Sequence, residues 1–380
     1  MRVLMVSDVY FPRINGVSTS IETFRSALAE QGVSVSLVAP SYGEDAFAPG
    51  VVRVPARRVL GDPEDRLANY GKLRRATLRA AAECDVIHIQ TPFAAHYAGL
   101  HAARALNKPV IATYHTLFEE YLQHYIPWFP ASVLRGLARR FSRGQCNALD
   151  AVIVPSSAMR KRLRDYGVTR PLHVLPTGIP KNAFEPGDGV RFRAENHILP
   201  QRPVVLFVGR VAHEKNIAFL LEAVALARRQ LPELLFLVTG EGPAQTDLAR
   251  QATRLGLSDS VRFLGYMDRR QQLPAAYAAA DAFIFASRTE TQGLVLLEAM
   301  AQRCPVVGLS IMGTADILEA KRGCRIAPDE PAGFAEVLLQ LLNDPVTRTQ
   351  LGADARNYAR EWSDQALAQR LAGLYQSLAR

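Results

Sequence analysis

The chain has 380 residues, 48% hydrophobic and 21% charged, with a formal net charge of +9. That length suits two domains better than one core, and the proportions are globular, not fibrous or disordered. No apolar run approaches the roughly 18 residues a bilayer crossing needs.

Met1-Arg-Val-Leu-Met-Val-Ser7 runs straight into a strand pattern, so no signal peptide is expected. Cys84, Cys146, Cys304 and Cys324 show neither metal-ligand nor disulfide spacing, which points to a reducing cytosol. The charge is uneven. Residues 1–180 hold 22 Lys and Arg against 14 Asp and Glu, an excess of 8; residues 181–380 hold 23 against 22, an excess of 1. A one-sided basic field fits an anionic partner (acidic lipid, nucleic acid or an anionic substrate), or only a solvated basic surface. No basic segment interleaved with aromatics is present to carry nucleic-acid binding.

Taken in chain order, short apolar strands alternate with helical patterns, the signature of parallel α/β sheets. The first half offers strands at Val3–Ser7, Ser34–Ala39, Val51–Val54, Asp85–Gln90, Pro109–Tyr114, Ala151–Pro155 and His173–Pro176. Helices are expected over Ser18–Gln31 and Asp65–Glu83. Pro176 to Gly189 is rich in Pro and Gly and reads as a linker. A second series follows at Pro203–Val208, Leu234–Thr239, Val261–Leu264, Ala282–Ala286 and Pro305–Leu309. Two doubly wound domains, 1–179 and 180–380, are expected to face each other across a cleft, with the last helix free to pack back on the first. Open α/β sheets bind ligands beyond the carboxyl ends of their strands, so the polar residues there are the candidates.

The first strand leads to Asn15-Gly16, a helix opening that suits either a phosphate or an ordinary turn. Tyr114-His115-Thr116 ends another strand; a histidine there serves chemistry or packing. Val208-Gly209-Arg210 leads to Lys215. Gly209 permits close approach, and both cations have the reach for a diphosphate, though a solvated turn would look the same. The richest stretch is Ser287-Arg-Thr-Glu-Thr-Gln-Gly-Leu-Val-Leu-Leu-Glu-Ala-Met300: strand, turn at Gly293, then a helix whose N-terminus suits an anion. Thr289-x-x-Gln292 also matches a capping box, with Glu290 as a first-turn acid. Glu298 sits in an apolar helix, where an ionised carboxylate needs ribose hydroxyls or a structural arginine as partner. No D-x-D pair occurs, and no metal site is indicated.

In order and spacing these motifs resemble the retaining GT-B glycosyltransferases of family 4 over nearly the whole chain. The resemblance rests on Asn15-Gly16-Val17, Tyr114-His115-Thr116, Pro176-Thr-Gly-Ile179, Gly209-Arg210 with Glu214-Lys215, Gly240-Glu-Gly-Pro243, Phe263-Leu-Gly265, Tyr277-x-x-x-Asp281 and Glu290 with Glu298. It implies two Rossmann-like domains, the second holding a nucleotide-sugar (UDP- or GDP-linked) and the first an acceptor, with no metal or other cofactor. It further implies that Arg210 and Lys215 neutralise the diphosphate and that the amides of Gly293 and Leu294 cradle it. Glu290 would bind sugar hydroxyls, Glu298 the ribose, Gly16 the phosphates, and His115 the donor sugar. Asn15-Gly16 and Gln292-Gly293 depart from the family's usual Gly-Gly and Phe-Gly.

His115-Thr-Leu-Phe-Glu-Glu-Tyr121 with Thr289 to Gly293 looks most like the branch that glucosylates diacylglycerol. A lipid acceptor suits the charge asymmetry. Trp128-Phe-Pro130 precedes a helical run, Ser132 to Arg143, that sets Leu134, Leu137 and Phe141 against Arg135, Arg139, Arg140 and Arg143. This is an interfacial anchor pattern, or a surface helix with its apolar side inward. The expectation is a cytoplasmic enzyme, peripheral on the inner face of an anionic membrane. The alternatives are a soluble or polysaccharide-precursor acceptor, a sugar-nucleotide epimerase, or a non-catalytic sugar-nucleotide binder.

Overall fold

The computed structural model describes residues 1–43, 45, 47–59, 62–115 and 131–379; side chains of 62–65 and 131–135 lie outside the description. The strands are β1 (Arg2–Val6), β2 (Ser34–Pro40), β3 (Val51–Val54), β4 (Ala56–Val59), β5 (Asp62–Ala68), β6 (Val86–Ile89), β7 (Val110–Thr113), β8 (Ala151–Val154), β9 (Leu172–Val174), β10 (Val204–Val208), β11 (Leu235–Thr239), β12 (Val261–Gly265), β13 (Ala282–Phe285), β14 (Val306–Gly308) and β15 (Cys324–Ile326). The α-helices are α1 (Gly16–Glu30), α2 (Tyr70–Ala82), α3 (Ala94–Leu106), α4 (Ala131–Asn147), α5 (Ser157–Asp165), α6 (Gly189–Glu195), α7 (Ile217–Ala227), α8 (Gln245–Arg254), α9 (Gln272–Ala279), α10 (Leu294–Ala301), α11 (Ala315–Leu318), α12 (Pro331–Leu342), α13 (Pro345–Arg360) and α14 (Asp364–Leu378).

Two units result: Met1–Gly178 with Asp364–Arg380, and Ile179–Ser363. The second unit therefore ends at Ser363, short of the chain terminus. The closing helix α14 sends Leu367, Leu371 and Tyr375 into the same buried cluster as Val3, Met5 and Ile111 of the first sheet. The first unit holds a sheet in the order β3-β2-β1-β6-β7-β8-β9, every neighbouring pair parallel. The second holds β12-β11-β10-β13-β14-β15, again parallel throughout. Strands such as Val204–Val208 and Ala282–Phe285 are buried along their whole length, as parallel strands covered on both faces must be. The order in which strands are added reverses beside β1 in one sheet and beside β10 in the other. At such switch points the loops beyond the strands part and leave room for a ligand.

Three expectations need correcting. Asp65 to Ala68 is strand, not helix: β4 and β5 pair antiparallel as a hairpin, and α2 starts at Tyr70, where the Asn69 side chain accepts the Lys72 N–H at 3.0 Å. β15 was not expected; it is a three-residue edge strand. The segment from Ile179 to Gly189 is no free linker. Ile179 bridges to Ser363, Lys181–Phe184 form a 3-10 turn, and the Gln302 amide donates to Ala183 O and Glu185 O while accepting the Gly187 N–H at 2.9 Å.

Candidate functional site

In the second unit the loops after β10 and β13, neighbours at the switch point, bring a cation and a carboxylate together. Lys215 closes a 3-10 turn, His213–Lys215, and its Nζ lies 2.7 Å from Glu290 Oε2, both side chains about one-fifth exposed. Asn216, in the left-handed region at φ 56, donates from its side chain to Ala286 O at 3.1 Å and so fastens the first loop to the second strand. Arg210 stays half in solvent, 3.8 Å from Glu214. Gly209 follows β10 directly, and its N–H donates to Thr239 O at 3.1 Å.

The Glu290 turn is held from behind. The Gly313 N–H donates to Glu290 O at 2.9 Å, and a Cβ on Gly313 would stand 2.1 Å from Thr291 O, so only glycine lets the two backbones meet. Gly293 is the N-cap of α10, at φ 95, with no side-chain cap bond. The capping box suggested by Thr289 and Gln292 is thus not formed. The Leu294 and Val295 N–H groups that open α10 have no partners within the helix, whereas the Leu296 N–H donates to Gly293 O at 3.0 Å.

Glu298, on α10, has the structural arginine that its apolar setting required. Arg269, in the loop after β12, donates to Oε1, and the buried Tyr277 hydroxyl donates to Oε2 at 3.1 Å. Burial first, and the Glu298 charge second, push the Tyr277 phenol well above its usual pKa and keep it a donor. Asp281 is structural: its carboxylate takes the Val204 N–H at 2.8 Å and Arg193 at 3.0 Å.

In the first unit, Asn15 caps α1 through a capping box with Ser18. Gly16 opens that helix, and among the described residues nothing lies within 4 Å of where its Cβ would be. His115 follows β7; its Nε2 is 3.1 Å from Gln90 Oε1 at the end of β6, and burial lowers its pKa to about 4. Two groups here were not foreseen. His88, on β6, bridges Tyr375 OH (2.6 Å) and Thr113 Oγ1 (2.7 Å). Asp8, at the end of β1, accepts the Ala95 N–H at 3.0 Å and Thr91 Oγ1–H at 2.7 Å. It thereby caps α3, which has no cap of its own, and burial raises its pKa to about 6. Both sit at or beside the carboxyl end of a strand, which was the available signal.

Trp128 and Phe129 lie outside the described residues, as does the Arg135 side chain. On the described part of α4, Ala138 and Ser142 are buried while Leu137 and Phe141 are 56% and 38% exposed, so these two apolar side chains are not turned inward. Arg140 is exposed, and Arg139 reaches over the Tyr166 ring at 5.5 Å. Among the described residues no helix is long and apolar enough to cross a membrane.

Comparison with known proteins supplies the family. The family model for glycosyl transferases group 1 matches residues 191–362, and that for Glycosyltransferase Family 4 matches 14–182. The alpha-monoglucosyldiacylglycerol synthase of Streptococcus pneumoniae is 34% identical over 315 residues, 81% of this chain and 70% of that protein. The sulfoquinovosyl transferase SQD2 of Arabidopsis thaliana is 29% identical over 377 residues, 93% and 69% respectively. Among solved structures, HepE of Anabaena in complex with UDP superposes with a TM-score of 0.79 at 21% identity, covering 100% of both chains. The chain therefore belongs to the group 1 glycosyl transferases with a family 4 N-terminal half: it is a nucleotide-sugar-dependent hexosyltransferase of the two-domain GT-B class.

Proposed function

We propose that this enzyme moves a hexose, with retention of the anomeric configuration, from a UDP-sugar to a diacylglycerol-type lipid at an anionic membrane surface on the cytoplasmic side. The observation that carries the donor half is the meeting of Lys215 and Glu290 at the switch point of the second unit. Without a donor the two neutralise each other; with one, Lys215 turns to the diphosphate and Glu290 to the sugar hydroxyls. Arg210, exposed and 3.8 Å from Glu214, adds the second positive charge. The Gly293 and Leu294 amides present the N-terminal dipole of α10 to the same phosphates. Glu298 takes the ribose. In the first unit, Gly16 serves the phosphates and His115 the donor sugar.

Positive groups fixed where negative charge grows on the leaving oxygen stabilise the transition state more than the ground state. The bond from the anomeric carbon to the diphosphate oxygen breaks. The acceptor hydroxyl forms its bond on the same face and passes its proton to the departing phosphate oxygen. No metal is needed for this balance, because Arg210 and Lys215 carry the compensating charge. The acceptor half is supported by the pneumococcal relative's name and by the exposed Leu137, Phe141 and Arg140 on α4.

The test is nucleotide release from UDP- and GDP-hexoses with dioleoylglycerol in vesicles, with soluble glycans, and with no acceptor. Release from a UDP-hexose that depends on diacylglycerol is expected. Release that follows soluble glycans, an epimerised donor without acceptor, or donor binding without turnover would each replace this reading with the corresponding alternative.

A further inference from the structure

Gln90 directly follows β6, the neighbour of β7, and is 3% exposed. Among the described residues its side chain has one hydrogen-bond partner: Oε1 faces His115 Nε2 at 3.1 Å, while the Nε2 amide nitrogen is buried without one. Leaving a buried amide donor unmade costs free energy, so the side chain is held here for something other than its own satisfaction. The geometry at the imidazole suggests what that is. An amide oxygen only accepts, so the nitrogen facing it must carry the proton. In a neutral ring the other nitrogen, Nδ1, is then a bare lone pair, and no hydrogen bond to it occurs among the described residues.

We infer that Gln90 is a positioning residue: it locks His115 in the Nε2–H form and so presents Nδ1 as a hydrogen-bond acceptor for a sugar hydroxyl. The inference rests on His115 serving the donor sugar as proposed above. The surroundings agree. Burial keeps His115 neutral down to about pH 4. His88, on the adjacent strand, is the titratable group His115 acts on; it is itself kept neutral, to about pH 3, by burial first and by His115 second. His88 is committed on both nitrogens to Tyr375 and Thr113. Of these two histidines, only His115 has a ring nitrogen to offer, and Gln90 decides which one it is.

The test uses the full-length enzyme labelled with 15N in its histidine rings, with His115→Ala to assign the signals. Wild type should show His115 as the Nε2–H tautomer at pH 7. Gln90→Glu keeps the shape and places a carboxylate beside Nε2. It should hold the same tautomer and raise the pH at which His115 protonates by at least one unit, moving the acid limb of the kcat profile upward with it. Gln90→Leu removes the acceptor. It should give a mixed tautomer and a 10- to 100-fold lower kcat with donor KM within about threefold, at unchanged melting temperature. Wild-type Nδ1–H, or an unmixed tautomer and full kcat in Gln90→Leu, would overturn the inference. The two readings fail differently. An active His115→Ala enzyme removes the role of His115 and with it that of Gln90. An inactive His115→Ala beside a fully active Gln90→Leu removes only the positioning role.

Discussion

At the residue scale the proposed donor site stands on Lys215, Glu290 and Glu298. Removing one charged hydrogen bond to a diphosphate costs roughly 1.5–3 kcal/mol, or one to two orders of magnitude in rate. Lys215→Ala is therefore expected to lose 10- to 100-fold in kcat/KM while remaining folded, since Lys215 lies on a loop and not in either core. Wild-type kcat/KM in that variant would remove the diphosphate site from this place. The two carboxylates should separate: Glu290→Gln lowers kcat and blurs sugar choice, whereas Glu298→Gln weakens free UDP. Calorimetry with UDP reads the second, and unchanged affinity in Glu298→Gln would dismiss the ribose role. Glu290 and Glu298 were legible because an apolar run, a glycine and two out-of-place acids fall within one short stretch. Arg269 was not. Its pairing with Glu298 depends on where the loop after β12 lies, and nothing in Met267-Asp-Arg-Arg270 marks one arginine over the other. Gln90 is not legible for a related reason: it reads as the last residue of a buried strand until β7 places His115 beside it.

At the element scale the sheet strands were legible because burial on both faces makes them continuous apolar runs. The β4–β5 hairpin was not, because its strands hold Arg57, Arg58, Pro63 and several acids and lack a clean alternation. The α4 helix carries Leu137 and Phe141 exposed beside Arg139 and Arg140, and that exposure makes a prediction. Basic side chains near an anionic surface contribute about 1 kcal/mol each, and salt weakens that attraction. Co-sedimentation of the protein with phosphatidylglycerol vesicles is expected to fall steeply with salt, and to drop at least tenfold when Arg135, Arg139 and Arg140 are replaced by Ser, with UDP affinity unchanged. Equal pelleting with phosphatidylcholine would point to a soluble partner for the basic half.

At the scale of the whole molecule, pH and metal dependence follow from the same groups. His88, His96 and His115 are held near 3, 4 and 4 by burial, against 6.5 when unfolded. Between pH 6.5 and 4 the unfolded chain takes up these protons and the fold does not, so stability falls as pH falls. Asp8 opposes this: held near 6 against 3.8, it is protonated in the fold where the unfolded chain is ionised, and contributes stability at the acid end. Three histidines outweigh one aspartate, leaving a net uptake of about two protons on unfolding near pH 5. The melting temperature should drop from pH 6.5 to 4.5; a flat or rising trend would contradict the burial of these rings. Turnover should also survive excess EDTA, because charge compensation is assigned to Arg210 and Lys215; loss reversed by Mg²⁺ would contradict that assignment.

The most direct measurement is the stereochemistry of the product. UDP-α-glucose labelled with 13C at the anomeric carbon, incubated with dioleoylglycerol vesicles and the enzyme, is followed by NMR of the extracted lipid. Same-face attack with Lys215 and Arg210 neutralising the departing diphosphate predicts an α-linked glucosyl lipid that forms as UDP appears. A β-linked lipid would contradict the same-face mechanism, and UDP formed without any glycolipid would contradict transfer to this acceptor.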